Sequence, residues 1–564
     1  MQAVTRPKVY DVCIVGSGAG GGMAAKVLTE AGADCVMLEA GPQWSVEKDG
    51  AMFKWNHESP RRGGPHRGRP FGEYDACLGG WDIPGEPYTV AEGSEFQWFR
   101  GRMLGGRTNH WGRIALRFGP WDFKGRSRDG LGDDWPIGYE DVKPYYDRLD
   151  QLVGLFGSNV GLENEPDGIF LPPPAPRAYE LMVKKACDRL KVTCIPSRIA
   201  ILTRPHGGRA ACHYCSQCNR GCNSHSFFTT PTVLLPPALA TGRLALRTGA
   251  MVREVTTNNE GLCTGVTYVD TATGAYEHVR ARAVVLAASA CESARILLNS
   301  RSPRFPNGLA NGSGAVGRYL TDSTGSTVRG HIPALEALPP HNEDGTGSMH
   351  LYMPWWGDNR KLDFPRGYHI EFGGGRRMPG YGFGGRIDQV NGGGYGLTLK
   401  DDYRRFYGAQ VSFSGRGEMV PNEHSYCDVD PETVDRWGIP VLRFHWKWSQ
   451  HEIRQVKHQQ ETFRDIILNM GGKLLDPLPG PDQDYGISKG GQIIHEVGTT
   501  RMGDSPQTSV LNRYGQAHES KNLFVADGGS FVSNAHKNVT WTILALAWRT
   551  SEYLAEERKK GNLS

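Results

Sequence analysis

The 564-residue sequence contains no apolar run of the ~18 residues that a membrane-spanning helix needs. It also has little excess charge, because 64 Lys and Arg residues stand against 60 Asp and Glu residues, a formal net charge of +4. So small an excess does not favour nucleic acid as a partner. The segment Met1–Val9 has neither an apolar signal core nor paired arginines, which taken alone predicts a cytoplasmic protein. We therefore expect a globular protein with no transmembrane segment of its own and no nucleic-acid partner.

Glycine is the residue in excess, with 74 of the 564 positions, against about 7% in average proteins. No collagen-like repeat accounts for the excess. The glycines should therefore mark turns and places where the backbone approaches a ligand closely.

The N-terminal segment has the pattern of a dinucleotide-binding βαβ unit. A short apolar strand over 9–15 leads into Gly16, Gly18 and Gly21, and a second strand ends at Glu39. The first glycine makes a tight turn, the second lets a pyrophosphate approach the backbone, and the third lets the helix pack on the strand. The acid can hold a ribose hydroxyl. The motif predicts a dinucleotide site but does not separate FAD from NAD.

Four cysteines fall close together, at Cys212, Cys215, Cys218 and Cys222. Their spacing, C-x2-C-x2-C-x3-C, is that of an iron–sulfur run without the trailing proline. A zinc site more often has two separated pairs, and disulfides are unusual in a chain with no export signal. The spacing favours an iron–sulfur cluster over these two alternatives and leaves open which of the four bind it.

The later part of the chain alternates in hydrophobicity. We predict strands over 244–255, 262–270 and 276–282, followed by a separate buried strand over 283–288. Residues 330–450 are rich in glycine and aromatics and also alternate, which predicts an antiparallel sheet in a second domain.

Four segments resemble the glucose–methanol–choline (GMC) oxidoreductase family and together span most of the chain. Gly101–Gly112 resembles its flavin-contacting segment, Gly491–Gly503 its catalytic-histidine segment, Asn522–Gly528 its second flavin-binding segment and Asn538–Ala547 its closing helix. The resemblance implies an α/β fold in which a Rossmann-like FAD-binding domain is joined to a substrate domain with an antiparallel β-sheet.

The implied domain boundaries follow the positions of these segments. We expect an FAD-binding domain over 1–329, which includes inserted loops and the Cys-rich segment at about 210–224. A substrate-binding domain should occupy 330–484, and 485–564 should return to the FAD-binding domain with the catalytic residues.

The resemblance also implies the roles of individual residues. An alcohol oxidation needs a base with a pKa near the working pH, a range that histidine covers. His495 matches the base of the family, with the flavin as hydride acceptor, and Asn538 matches the residue that hydrogen bonds to the substrate oxygen. We expect non-covalent FAD, with His110 near its ring. The residues implied to contact the cofactor are Gly16, Gly18, Gly21, Glu39, Arg102, Gly105, Gly106, Asn109, His110, Asp527 and Gly528.

Within the family, the cysteine run resembles that of the iron–sulfur catalytic subunits of bacterial sugar dehydrogenases. Cys212, Cys218 and Cys222 match three ligands of a 3Fe-4S cluster, whereas Cys215 is extra and leaves a 4Fe-4S cluster open. A cluster can deliver the two electrons of a reduced flavin one at a time to a cytochrome c. The relatives imply a small subunit with a twin-arginine signal and periplasmic location by co-export, with the cytoplasm as the alternative.

The implied substrate is glucose or a glucoside, oxidised at the 3-hydroxyl to a 3-keto sugar. Glucose 1-oxidation, gluconate oxidation and fructose oxidation are the alternatives within this class. A pyranose oxidase-like enzyme that uses oxygen and a non-catalytic electron-transfer flavoprotein subunit are alternatives from other classes.

Overall fold

The structure, a computed structural model, describes residues 8–55, 77–336, 338, 345–354, 361–376, 390 and 393–563. The β-strands within these ranges are β1 (Val9–Val15), β2 (Cys35–Glu39), β3 (Gly79–Gly80), β4 (Thr89–Val90), β5 (Arg100–Gly101), β6 (Ile195–Pro196), β7 (Leu244–Thr248), β8 (Ala250–Thr257), β9 (Cys263–Asp270), β10 (Tyr276–Leu286), β11 (Thr327–His331), β12 (Leu351–Tyr352), β13 (Tyr368–Gly374), β14 (Gln410–Gly417), β15 (Tyr426–Val434), β16 (Pro440–His445), β17 (Lys473–Leu474) and β18 (Leu523–Val525). The α-helices are α1 (Ala19–Glu30), α2 (Val46–Asp49), α3 (Gly125–Asp129), α4 (Tyr139–Val153), α5 (Ala178–Leu190), α6 (Thr230–Val233), α7 (Leu235–Ala240), α8 (Ala290–Asn299), α9 (Gly396–Phe406), α10 (Gln450–Asn469) and α11 (Thr540–Lys560).

Seven strands form the main sheet, in the order β7-β2-β1-β10-β9-β8, with β18 also paired to β10. β1 lies between β2 and β10 and runs parallel to both, so that Cys13 is level with Val36 and Val284. These residues are buried, as expected for parallel strands covered on both faces. α1 contacts this sheet and also packs against α11. These elements confirm the Rossmann-like part of the predicted α/β fold.

β10 differs from the prediction of two separate strands over 276–282 and 283–288, which is wrong. It is one strand that changes partners along its length. Its first residues pair antiparallel with β9, and its later residues pair parallel with β1 and β18. The first part of β10 is buried on one face and the later part on both faces. The hydrophobic pattern therefore changes from alternating to continuous within one strand, although the chain makes no turn there.

The opposite error occurs at 244–255, where one strand was predicted and the structure has two, β7 and β8. Gly249, with a φ of +68°, separates them. β7 pairs parallel with β2, whereas β8 pairs antiparallel with β9. A left-handed glycine between the strands lets the chain change direction within one residue.

A second sheet, antiparallel, has the order β13-β14-β11-β17, and α10 packs on it. β14 alternates buried and partly exposed residues along its whole length, as a sheet with one covered face requires. The sheet confirms the predicted antiparallel substrate side. Its strand β11 begins before residue 330, and the division into 1–329, 330–484 and 485–564 stays a prediction.

The chain segments after the second sheet return to the first. His495 lies in the loop between β17 and β18, and Asn538 lies just before α11. Within the described ranges, no helix has both the length and the apolar character that crossing a membrane requires.

The contact between α1 and the end of β18 gives a test of the fold. A Cβ atom added to Gly20 would lie 1.7 Å from the carbonyl oxygen of Ala526. We expect Gly20→Ala to lower the free energy of unfolding by about 1–3 kcal/mol, because the helix must move off the sheet. Thermal unfolding followed by circular dichroism measures the loss. Exposed Gly394→Ala, whose added Cβ has no neighbour nearer than 3.4 Å, is the control, and equal midpoints for the two variants would contradict the packing described.

Candidate active site

One cavity of about 330 Å³ joins the two groups of residues that the sequence singled out. Gly16, Gly18 and Glu39 line one part of it, and His495 and Asn538 line another. Segments from both ends of the chain therefore meet at a single site.

The glycine turn has the shape that a pyrophosphate needs. A Cβ added at Gly16 would lie 2.5 Å from the carbonyl oxygen of Ala287. A Cβ added at Gly21 would lie 1.9 Å from the carbonyl oxygen of Gly16. At Gly18 the same atom would meet nothing within 4 Å. Gly16 and Gly21 thus permit close packing, whereas Gly18 leaves open space at the start of α1. A helix N-terminus beside open space suits the phosphates of a dinucleotide, and the turn fits FAD.

Glu39 holds this turn together. One carboxylate oxygen accepts hydrogen bonds from the backbone N–H and hydroxyl of Ser17, at 3.1 Å and 2.5 Å, and the other accepts from Gly41 N–H at 2.8 Å. Burial raises the pKa of Glu39, and these hydrogen bonds oppose that effect. The Ser17 hydroxyl in turn accepts from Gly105 N–H at 2.8 Å, which fastens the predicted flavin-contacting segment to the turn.

Most of the other predicted cofactor residues also line the cavity, namely Arg102, Gly106, His110, Asp527 and Gly528. The Arg102 guanidinium forms ion pairs with Glu86 at 2.7 Å and Glu292 at 2.8 Å. Asp527 is buried, which raises its pKa to about 6 against the opposing effect of hydrogen bonds from Ser293 and two backbone N–H groups. These contacts fix both side chains at the cavity wall.

Gly105 and Asn109 are not among the residues that line the described cavity. The Asn109 amide donates to the carbonyl oxygens of Leu104 at 2.9 Å and Gly106 at 3.1 Å. Gly105 has a φ of +87°, and an added Cβ would lie 2.5 Å from Pro231. The two residues shape the turn that carries Gly106 to the cavity.

His495 and Asn538 are neighbours, with 3.3 Å between His495 Nε2 and Asn538 Nδ2. His495 Nδ1 lies 3.0 Å from the Ser323 hydroxyl, and the His495 backbone N–H donates to Asp322 at 2.9 Å. The preceding residue, Ile494, has a φ of +65°, a strained conformation for a β-branched residue. Both ring nitrogens of His495 and its backbone N–H therefore have hydrogen-bond partners, which fix the position of the imidazole.

Glu371 lies beside Asn538 and sets the orientation of its amide. A Glu371 oxygen lies 3.2 Å from Asn538 Nδ2. An ionised carboxylate only accepts hydrogen bonds, so the amide NH2 must face it. The same NH2 then donates to His495 Nε2, which leaves the proton of the neutral imidazole on Nδ1, toward Ser323. Asn538 Oδ1 is buried and has no partner in the described part of the chain.

Burial, more than the charges around the site, keeps His495 neutral. Burial, followed by the positive charge of Arg416, lowers the pKa of His495 to about 3. Burial alone would raise the pKa of Glu371, but the positive charge of Arg416 and the hydrogen bond from His369 have a larger effect and lower it to about 2. At neutral pH the site therefore contains an unprotonated imidazole next to an ionised carboxylate. The pKa of His495 lies well below the working pH, so the expected match between the two is not found in the substrate-free site.

Glu371, Arg416 and Ser323 are site residues that sequence reasoning missed. Glu371 lies on β13 and Arg416 on the paired strand β14, and both line the cavity. A Glu371 oxygen forms an ion pair with Arg416 Nη2 at 3.2 Å. The available signal was weak, because His369-x-Glu371 puts two polar side chains on one face of a strand without indicating what they face.

The cysteine run forms a loop in which Cys218 is buried and the other three cysteines are partly exposed. Burial, with smaller contributions from the three other sulfurs, raises the pKa of Cys212 to about 12. None of the four forms a disulfide.

The structure does not gather the four thiols into a closed metal site. In the described residues no three of these sulfurs lie within 4.8 Å of one another, whereas a tetrahedral zinc ion brings its sulfur ligands to about 3.8 Å apart. An iron–sulfur cluster separates its cysteines more widely, because iron and sulfide atoms lie between them. The four thiols are the ligand type that such a cluster takes, and the cluster itself stays a prediction.

Comparison with known proteins identifies the class of enzyme. Two GMC oxidoreductase models, for the N-terminal and C-terminal parts of the family, match residues 175–323 and 421–547, and an FAD binding domain model matches residues 9–53. The chain is 30% identical to 2-methyl-1,2-propanediol dehydrogenase from Mycolicibacterium austroafricanum, over 97% of this chain and 95% of that protein. The chain therefore belongs to the GMC oxidoreductase family. It is an FAD-dependent oxidoreductase that acts on CH–OH groups.

Two further comparisons extend along the whole chain. The chain is 23% identical to the fructose dehydrogenase large subunit from Gluconobacter japonicus, over 98% of each protein. The structure is similar to that of pyridoxine 4-oxidase from Mesorbium loti, with a TM-score of 0.64, 17% identity, and coverage of 98% of this chain and 99% of that one. The second similarity shows that the two share a fold.

The open space at Gly18 gives a test of cofactor binding. We expect Gly18→Ala to leave the apoprotein folded, because the added Cβ meets no protein atom, but to raise the Kd for FAD at least about tenfold by intruding on the phosphates. Fluorescence titration of the apoprotein with FAD measures the Kd, with Gly394→Ala as the matched control. An unchanged Kd would mean that no phosphate lies against Gly18.

Proposed function

We propose that this protein is an FAD-dependent sugar dehydrogenase that oxidises a ring hydroxyl of glucose or a glucoside. The observation that carries the proposal is a cavity lined both by the dinucleotide turn and by an unprotonated imidazole, His495, that lies next to a neutral amide. The polar side chains of Glu371 and Arg416 in the same cavity support a substrate with several hydroxyls.

We assign proton removal to His495 Nε2. Nε2 is the unprotonated ring nitrogen, because Nδ1 carries the proton toward Ser323 and burial keeps the ring neutral. Without substrate its lone pair accepts from the Asn538 amide, and a bound hydroxyl would replace that contact. In the reaction the substrate hydroxyl gives its proton to Nε2 while the adjoining carbon loses hydride and becomes a carbonyl. The Asn538 N–H that faces Nε2 at 3.3 Å would then donate to the same substrate oxygen and fix its angle, while the other N–H stays on Glu371.

When bound, FAD supplies the acceptor for the hydride. Gly16, Gly18 and Glu39 would hold its dinucleotide part, and His110 would lie near its ring without a covalent bond. The protein contributes orientation, exclusion of water and one well-placed base.

Among ring positions we favour the 3-hydroxyl, because the chain resembles glucoside 3-dehydrogenases within the family. Relatives named for a diol and for fructose support a polyhydroxylated substrate. Glucose 1-oxidation and gluconate or fructose oxidation remain the competing assignments within the class.

We further propose an iron–sulfur cluster held by Cys212, Cys218 and Cys222 as a 3Fe-4S cluster. A 4Fe-4S cluster with Cys215 as the fourth ligand is the alternative. The cluster would pass electrons singly to a cytochrome c. Similarity to a protein described as a large subunit supports a small partner subunit. A partner with a twin-arginine signal would bring this chain to the periplasm.

Replacement of the base tests the mechanism. We expect His495→Gln to slow anaerobic flavin reduction by about 10²–10⁴-fold, the usual contribution of a general base. Stopped-flow absorbance measures the rate, and exposed His424→Gln is the matched control. A rate within a few-fold of the native one would exclude His495 as the base.

The pH dependence tests the neutral state of His495. A base with a pKa of about 3 stays unprotonated between pH 8 and pH 5, so the rate of flavin reduction should not fall over this range. A histidine with an ordinary pKa would become protonated near pH 6.5 and the rate would drop. Stopped-flow measurements across this range distinguish the two, and a drop centred near pH 6.5 would contradict the account.

Cysteine variants test the cluster. We expect protein prepared without oxygen to contain iron and acid-labile sulfide, and Cys218→Ser to lose both while retaining FAD. Cys215→Ser should keep the iron content and the electron paramagnetic resonance spectrum, because the family pattern assigns no ligand to that position. Native protein that binds FAD but no iron would remove the cluster from the proposal.

A further inference from the structure

Glu371 and Arg416 are the side chains through which the second sheet reaches the described cavity. In space, both lie next to the proposed reaction site. His495 Nε2 lies 3.3 Å from the Asn538 amide, the amide lies 3.2 Å from Glu371, and Glu371 lies 3.2 Å from Arg416. Because His495 Nε2 and a Glu371 oxygen both contact the Asn538 nitrogen, these two atoms lie no more than about 6.5 Å apart. Two hydroxyls on adjacent carbons can span that distance with one hydrogen bond at each end. A substrate whose reacting hydroxyl lies at His495 therefore brings its next hydroxyl to Glu371 and Arg416.

The hydrogen-bonding capacity left on this pair matches one hydroxyl group. Glu371 accepts from Asn538, His369 and Arg416, which leaves one of about four lone-pair positions. Arg416 uses three of its five N–H groups on Glu371, the Ser414 hydroxyl and the Gly415 carbonyl, which leaves two. A hydroxyl can donate to the carboxylate and accept from the guanidinium at the same time.

Charged groups do not suit the same position. A substrate carboxylate would pair with Arg416 but be repelled by Glu371, and an ammonium group would be attracted by Glu371 but repelled by Arg416. His369 lies behind Glu371 and is fully buried. We propose that Glu371 and Arg416 bind the hydroxyl on the carbon next to the one oxidised, so that the enzyme selects neutral vicinal diols. This inference rests on the proposed function, because it assigns the substrate class of the same cavity.

Deoxy substrates test this inference on the FAD-loaded enzyme. Rates of anaerobic flavin reduction are compared for methyl glucoside and its 2-deoxy and 4-deoxy analogues, which lack one neighbour of the 3-hydroxyl. We expect the native enzyme to disfavour at least one analogue by about 100-fold or more, since a site built for a hydroxyl rejects its absence strongly. If the flavin of the native enzyme is reduced equally fast by all three substrates, the proposal is overturned, and no variant is needed to show it.

Arg416→Met then identifies the group responsible. We expect the ratio of parent to deoxy rates to fall toward one in this variant, whereas Arg416→Lys, which keeps a donor, retains most of it. Because each ratio is taken within one protein, general loss of activity cancels. A variant that slows all three substrates by the same factor would overturn the assignment to Arg416.

Failure of the proposed function gives a different result. If no sugar reduces the flavin of the native enzyme, the sugar dehydrogenase assignment fails, and the comparison is made between 1,2-propanediol and 1-propanol. Preference for the diol, lost in Arg416→Met, supports recognition of the neighbouring hydroxyl on its own. Equal rates with the two alcohols overturn it.

Discussion

The carboxylate of Glu371 can only accept hydrogen bonds, and the protonation of the whole site depends on this fact. It requires the Asn538 amide to present its NH2 group, which in turn requires His495 Nε2 to accept and Nδ1 to carry the proton toward Ser323. One partly buried anion thus determines the tautomer of a histidine two contacts away. The neighbouring Arg416 keeps Glu371 ionised and helps to keep His495 neutral.

The fold brings the site together by means of a few close packing contacts. α1 begins at the dinucleotide turn and α11 begins just after Asn538, and the two helices pack against each other. The partner change along β10 lets a single strand support both β1, which leads to Gly16, and β18, which leads to Asp527. The cofactor turn and the catalytic amide therefore share one support, while β13 and β14 supply Glu371 and Arg416 from the other sheet.

Sequence reasoning succeeded where a residue type reports a local requirement. The role of each glycine in the dinucleotide turn could be predicted, because each position makes a different demand on the backbone: Gly16 for the tight turn, Gly18 for the approach of phosphate and Gly21 for helix packing. The apolar strands around them also had clear ends. His495 and Asn538 could be found only through resemblance, since nothing in their local pattern separates them from other polar loop residues. Glu371 and Arg416 meet through the pairing of strands that are distant in sequence, and a polar residue on a strand does not indicate what it faces.

The most direct test of the central claim is the anaerobic absorbance spectrum of the FAD-loaded protein before and after addition of methyl glucoside. The claim is that one cavity holds the flavin, the base and a polyhydroxylated substrate together, and hydride transfer in it must bleach the flavin band near ~450 nm. The account predicts loss of that band without oxygen or any other protein. An unchanged flavin spectrum with methyl glucoside, glucose, gluconate and fructose in turn would contradict it.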